Sequence, residues 1–155
     1  MFRQRVQRVS DPGPPLQALR PLRAAVVARL AGKGFGMTNS HEPIRALGCL
    51  CCAMASTLGF RVTGLRTEIH HMTTGGLAGQ KRLGEDKVLP LCGWHHRSSW
   101  TEVAPPSGWT ALQKLDLDAA IYGPGLAQHA RKFRDTYGTE AQLHAVVTKL
   151  LGKAA

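Results

Sequence analysis

Apolar residues recur at helical spacing near the end of the chain, where Leu143, Val146, Val147, Leu150 and Leu151 fall on one face. Thr139-Glu140-Ala141-Gln142, just before them, has the pattern of a capping box, so a packing helix is predicted to open there. A helix is also predicted from Pro124 through Leu126, Ala130 and Phe133 to about Tyr137. Upstream the pattern shortens. Arg66 to His71 and Lys87 to Leu91 read as strands, with a glycine-bearing loop, Thr73-Thr74-Gly75-Gly76, between them. Cys92 to about Trp100 reads as a short helix, closed off by Pro105-Pro106. Another short helix is expected from Ser40, a candidate N-cap, to about Leu47, and Cys49-Leu50-Cys51-Cys52 is expected in a turn. Leu16 to Leu30 could be helical, but Pro21 splits or shortens that helix, and Asp11-Pro12-Gly13-Pro14-Pro15 breaks regular structure near the start. Short strands among helices, without an internal repeat, predict an α+β fold. At 155 residues one domain is expected.

Charge changes the picture at the front of the chain. The net charge is +10, from 20 basic and 10 acidic residues. Residues 1–48 carry Arg3, Arg5, Arg8, Arg20, Arg23, Arg29, Lys33 and Arg45 against only Asp11 and Glu42. Residues 1–38 are therefore expected to be a basic, mobile arm, hinged at Gly32-Lys33-Gly34-Phe35-Gly36, and residues 39–155 the folded domain. Such a balance suits a polyanion, meaning nucleic acid or an acidic membrane surface. The longest apolar runs fall well short of the ~20 residues a membrane span needs. The start, Met1-Phe2-Arg3-Gln4-Arg5, lacks the apolar core of a signal peptide. A cytoplasmic protein is expected, and in a reducing compartment four cysteines argue for metal rather than disulfides.

The candidate chemistry lies in three groups: Cys49-x-x-Cys52, Glu68-Ile69-His70-His71 and Cys92-Gly93-Trp94-His95-His96. Two ligands with two residues between them can both reach one tetrahedral ion. Cys49 with Cys52, and Cys92 with His95, make a closed Cys3His set suited to structural zinc. Cys51 is left over and could replace Cys49 or Cys52. Such a site would clip the segment before the first strand onto the start of the helix after the second. His70, His71 and His96 remain. Neighbours on a regular strand face opposite ways, so His70 and His71 can share a site only where the strand ends and twists. Isolated histidines, His41, His129 and His144, read as ordinary core or surface residues.

Taken together, Glu68-Ile69-His70-His71, Gly75-Gly76, Asp86 and Leu89-Pro90-Leu91-Cys92-Gly93-Trp94-His95-His96-Arg97 resemble the HNH (His-Me finger) endonucleases. More narrowly they resemble the phage recombination-enhancement (Ref) nucleases. Gly123-Pro124-Gly125-Leu126, Phe133, Tyr137-Gly138-Thr139-Glu140 and Leu143 are similar to the tail of that group. The resemblance covers roughly residues 45–145. It implies a ββα-metal core stapled by zinc, with flanking helices and a C-terminal helical tail, and metal-dependent cleavage of DNA phosphodiesters. Carried over by position, His71 matches the general base, and His70 and His96 match ligands of a catalytic divalent ion, Mg2+ or Mn2+. Asp86 falls near the position, usually asparagine, that holds the base, with Glu85 its close competitor. Arg97, Lys81 and Arg82 flank this site and could hold the phosphate backbone. The group is linked to RecA-type recombinase filaments on single-stranded DNA, which makes such a filament the expected partner. The competing reading is a zinc-binding nucleic-acid module, an accessory to recombination without catalysis.

Overall fold

The computed structural model describes residues 41–74, 81–99 and 101–152. The basic arm, the Leu16–Leu30 helix, Ser40 and the Gly75-Gly76 pair lie outside them. The described chain is α+β. Helices α1 (Glu42–Ala46) and α2 (Leu50–Leu58) lead into strands β1 (Thr67–His71) and β2 (Val88–Cys92), and α3 (Gly93–Arg97) follows at once. Helices α4 (Ala111–Tyr122), α5 (Ala130–Tyr137) and α6 (Glu140–Leu150) complete it. Among the described residues no helix is long and apolar enough to cross a membrane.

The two strands pair antiparallel, Thr67 opposite Cys92 and His71 opposite Val88. The pairing continues past the strands: Met72 N–H donates to the Lys87 carbonyl at 2.9 Å, and Thr73 bridges Arg82. β2 is buried throughout, packed on α2, α3 and α6, while every residue of β1 is half-buried. Pro90 sits within β2 because, among the described residues, the strand has a partner on one side only, and a missing N–H there breaks no ladder. Around this hairpin Trp94, Tyr137, Phe133, Leu89, Leu91, Val88 and Leu143 are all essentially buried. Each such side chain contributes about 1.5–3 kcal/mol by leaving water.

The α6 capping box forms as its sequence predicts: Thr139 Oγ1 accepts from Gln142 N–H, and Gln142 Oε1 accepts from Thr139 N–H at 2.7 Å. Four expectations change. Cys49 to Cys52 is no turn; Cys49 is the N-cap of α2, which ends at Gly59 in the left-handed region. α1 has His41 rather than Ser40 at its N-cap. α3 stops at Arg97, short of Trp100, because Ser98 turns left-handed (φ 54°) and Ser98 and Ser99 N–H close back on the Trp94 and Gly93 carbonyls. Finally, α5 begins at Ala130, because residues 123–126 are spent on docking α3. Trp94 Nε1 donates to the Gly123 carbonyl at 2.8 Å, and Leu126 N–H donates to the His95 carbonyl at 2.9 Å. No side chain fits at this seam: a Cβ on Gly123 would lie 1.9 Å from the Tyr137 hydroxyl, and one on Gly125 would lie 2.8 Å from the Trp94 carbonyl.

Helix α4 has no counterpart in the sequence-based expectations. Its buried positions are Lys114, Asp118 and Tyr122, one helical turn apart. Lys114 pairs with Asp118 inside, and Thr101 Oγ1 bonds to both, donating to Asp118 Oδ1 at 2.7 Å and accepting from Lys114 Nζ at 3.0 Å. The buried charges are thus neutralised as a pair, as burial requires, although among the described residues Asp118 Oδ2 has no hydrogen-bond partner.

Candidate metal centre and histidine cluster

The N-terminal ends of α2 and α3 bring Cys49, Cys52, Cys92 and His95 together. Around His95 Nδ1 the sulfurs stand at 3.1 Å (Cys92), 3.5 Å (Cys49) and 3.6 Å (Cys52), and Cys52 and Cys92 are 3.8 Å apart. A tetrahedron with bonds of about 2.3 Å to sulfur and 2.0 Å to nitrogen has edges of about 3.5–3.8 Å. The cluster therefore has the dimensions of a tetrahedral metal site and could hold a structural metal such as zinc. The far side of the imidazole is fixed as a ligand's should be: His95 Nε2 donates to the Tyr122 carbonyl at 3.0 Å, which leaves the Nδ1 lone pair facing the sulfurs. Burial and neighbouring thiols push Cys49 up, while hydrogen bonds from Cys49 and Cys92 hold Cys52 far below the usual thiol range. Burial alone would lower His95, but the Cys52 and Cys92 sulfurs override it and raise the imidazole to about 9. Cys92 is pushed up as well, chiefly by its Cys49 and Cys52 neighbours, so without a cation the quartet favours one thiolate, at Cys52, beside the His95 imidazolium, and a bound cation would take the place of these protons. Cys51 is fully buried and stands outside the quartet.

A second group lies on the β1–α3 side. Glu68 and His70, two apart on β1, share a strand face. The His70 and His96 rings meet edge to face with centroids 5.0 Å apart. Glu68 Oε2 accepts from His96 Nδ1 at 2.8 Å and from Arg97 Nε at 2.9 Å, and the Arg97 terminal nitrogen pairs with Glu68 Oε1. The Arg97 guanidinium holds the Glu68 carboxyl below its ordinary range, and burial pushes His96 down, which favours the neutral imidazole a metal needs. His70 Nε2 is buried without a hydrogen-bond partner, the Glu140 carboxylate standing 3.4 Å away. Among the described residues these side chains do not bring three ligand atoms within 4.8 Å of one another as the Cys3His quartet does.

His71, the last residue of β1, makes a different set of contacts. Its Nε2 is 3.2 Å from Glu85 Oε2, and its ring meets His41 edge to face, centroids 5.6 Å apart. Asp86 turns its exposed carboxylate to Lys87, at 3.3 Å, while its carbonyl accepts from His144 Nε2 at 2.9 Å. The structure thus joins His70 to His96 and His71 to Glu85, on the two faces of one strand end. Lys81 and Arg82 are exposed at the far end of the hairpin, and Arg97 is tied to Glu68. Four residues at these clusters, Glu68, His41, Glu140 and Tyr137 (its hydroxyl 3.2 Å from His95 Nε2), were given no role at the site from sequence. Glu68 had a signal, its two-residue offset from His70. His41, Glu140 and Tyr137 had none, since only tertiary packing brings them in.

No curated protein and no solved structure matches the chain. A family model described as "Recombination enhancement, RecA-dependent nuclease" matches residues 38–152, which span all the described elements and both clusters. The chain belongs to that family of recombination-enhancement nucleases.

Proposed function

We propose that the protein is a metal-dependent DNA endonuclease of the HNH type, its ββα-metal core formed by β1, β2 and α3, and that it works on DNA carrying a RecA-type recombinase filament. The observation that carries this reading is the pair of imidazoles, His70 from β1 and His96 from α3, whose rings meet edge to face with His96 backed by Glu68. In this reading His70 and His96 hold the catalytic ion, which on binding supplies a Lewis acid for the phosphate and for the leaving oxygen. His71 takes the proton of the attacking water. Glu85 on its Nε2 keeps the ring proton there, so Nδ1 carries the accepting lone pair. Glu85, not Asp86, is then the residue that holds the base. Arg97, Lys81 and Arg82 contribute positive charge for the phosphate backbone, which fixes position without reading sequence. The Cys3His cluster takes zinc and holds α3 in place.

Incubation of purified protein with supercoiled plasmid and with single-stranded DNA, each with and without a RecA filament, tests this. Metal-dependent cleavage that increases on filament-bearing DNA is expected. DNA binding without cleavage under every metal and filament condition would leave the non-catalytic zinc module as the better description.

Glu68 should act through His96. In Glu68→Gln the charge behind the imidazole is lost, and carboxylate partners of this kind are worth about 10–100-fold in metal affinity. The Mn concentration for half-maximal nicking is expected to rise by that factor, with the rate largely recovered at saturation and zinc content unchanged. An unaltered Mn dependence would show that Glu68 does not orient a ligand.

A further inference from the structure

The His71 side of the strand holds a donor set of its own. His41 from the N-cap of α1, His71 from the end of β1 and Glu85 from the hairpin connection bring one ligand atom each within 4.8 Å of one another. Both imidazoles present Nε2 to the same carboxylate oxygen, His71 at 3.2 Å and His41 at 3.8 Å from Glu85 Oε2. In a tetrahedral site with bonds near 2.0 Å the ligand edges are about 3.3 Å, so small side-chain rotations close the set. The Glu85 side chain is 72% exposed, and His41 and Glu85 line the cleft between α1 and α6, so an ion has a way in and room for water. Two imidazoles, a carboxylate and an open position are a known combination for zinc and its neighbours, and a poor one for magnesium.

We propose that His41, His71 and Glu85 form an inhibitory binding site for a late first-row divalent cation, zinc foremost, separate from the Cys3His cluster and from the His70–His96 pair. Binding replaces two hydrogen bonds, His71 to the Glu85 carboxylate and His41 Nε2 to the Glu85 carbonyl at 2.9 Å. Each ring proton moves from Nε2 to Nδ1 as Nε2 takes the metal. On His71 that proton occupies the lone pair assigned to water activation, so a metallated His71 cannot act as base. The binding site stands on the three side chains alone; only the inhibition rests on the nuclease reading.

The test separates the two. Full-length protein already loaded with zinc is dialysed against micromolar cobalt, and bound cobalt is counted in wild type, His41→Ala, Glu85→Gln and His96→Ala. His41→Ala and Glu85→Gln should each weaken one cobalt equivalent by about 10-fold or more, and His96→Ala should weaken a different one. Thermal unfolding confirms that each variant is folded; Glu85, being exposed, is the safer substitution. In magnesium-supported nicking, half-inhibition of His41→Ala should need about 10-fold more zinc than wild type, each scaled to its own zinc-free rate. Cobalt binding that is the same in wild type, His41→Ala and Glu85→Gln overturns the site. Cobalt binding that depends on His41 with zinc inhibition that does not overturns the inhibitory role. Loss of nicking in all proteins, with His41-dependent cobalt retained, counts against the nuclease reading and leaves the metal site standing.

Discussion

Cys92→Ser is expected to release the structural metal and unfold the domain. Cys92 Sγ is the hub of the quartet, 3.1 Å from His95 Nδ1, 3.8 Å from Cys52 Sγ, and the acceptor of the Thr63 hydroxyl at 3.3 Å. A structural zinc in a small domain binds with about 10–16 kcal/mol of apparent free energy, all of it folding free energy where the empty site does not persist. A domain of this size has about 5–15 kcal/mol of stability in total. Losing even half of the metal's contribution therefore removes most of the margin. Removal also leaves buried Cys49 and half-buried Cys52 with no cation between them. Cys51→Ala supplies the contrast. Cys51 is equally buried but outside the quartet, so its removal should cost about 1 kcal/mol of packing and no metal. Elemental analysis and thermal unfolding of the two variants decide the matter. Cooperative unfolding of metal-free Cys92→Ser near the wild-type temperature would refute the structural role of the cluster.

His71→Ala should cut at a rate lower by about 10²–10⁴-fold, the usual worth of a positioned general base, while the zinc of the Cys3His quartet, unfolding temperature and DNA affinity stay close to wild type. His71 is half-buried at a strand end and touches neither the quartet nor the His70–His96 pair through any contact described above. His96→Ala should also stop cleavage, but for another reason: it removes a metal ligand. Raised Mn should restore part of its activity and none of the His71→Ala activity, since no amount of metal replaces the base. His95→Ala, one residue away, should instead lose zinc and fold. Nicking across a metal titration, together with zinc content, separates the three neighbours. Near wild-type cutting by His71→Ala would dismiss the mechanism proposed here.

The sequence made some elements legible and hid others for identifiable reasons. The α6 stripe and its capping box follow local rules, and they fold accordingly. The Cys49/Cys52 and Cys92/His95 spacings are also local, so their convergence could be anticipated, though not that Cys49 would cap a nine-residue helix. α4 was hidden because two of its three buried positions are Lys114 and Asp118, which any hydrophobicity pattern assigns to solvent. The α5 boundary was misplaced because Pro124 and the glycines beside it suit a helix start by themselves, whereas here they lie against Trp94 and Tyr137. At the histidines the sequence supplied the residues but not their grouping. Strand alternation sends His70 and His71 apart, and the partners that define each group, Glu140 from α6 and His41 from α1, arrive through packing alone.

The quartet also has a topological consequence. Cys52 and Cys92 are 40 residues apart in the chain, and the whole hairpin lies between them. A cation bridging the two ends turns that span into a closed ring, with the His70-His71 strand end inside it. A ring survives one cut. A peptide bond broken in the connection between β1 and β2 would leave two fragments, one ending in β1 and one beginning before β2, still clasped by the metal and the buried face of β2. Integrity of the histidine cluster would then depend on an unbroken coordination sphere more than on an unbroken backbone.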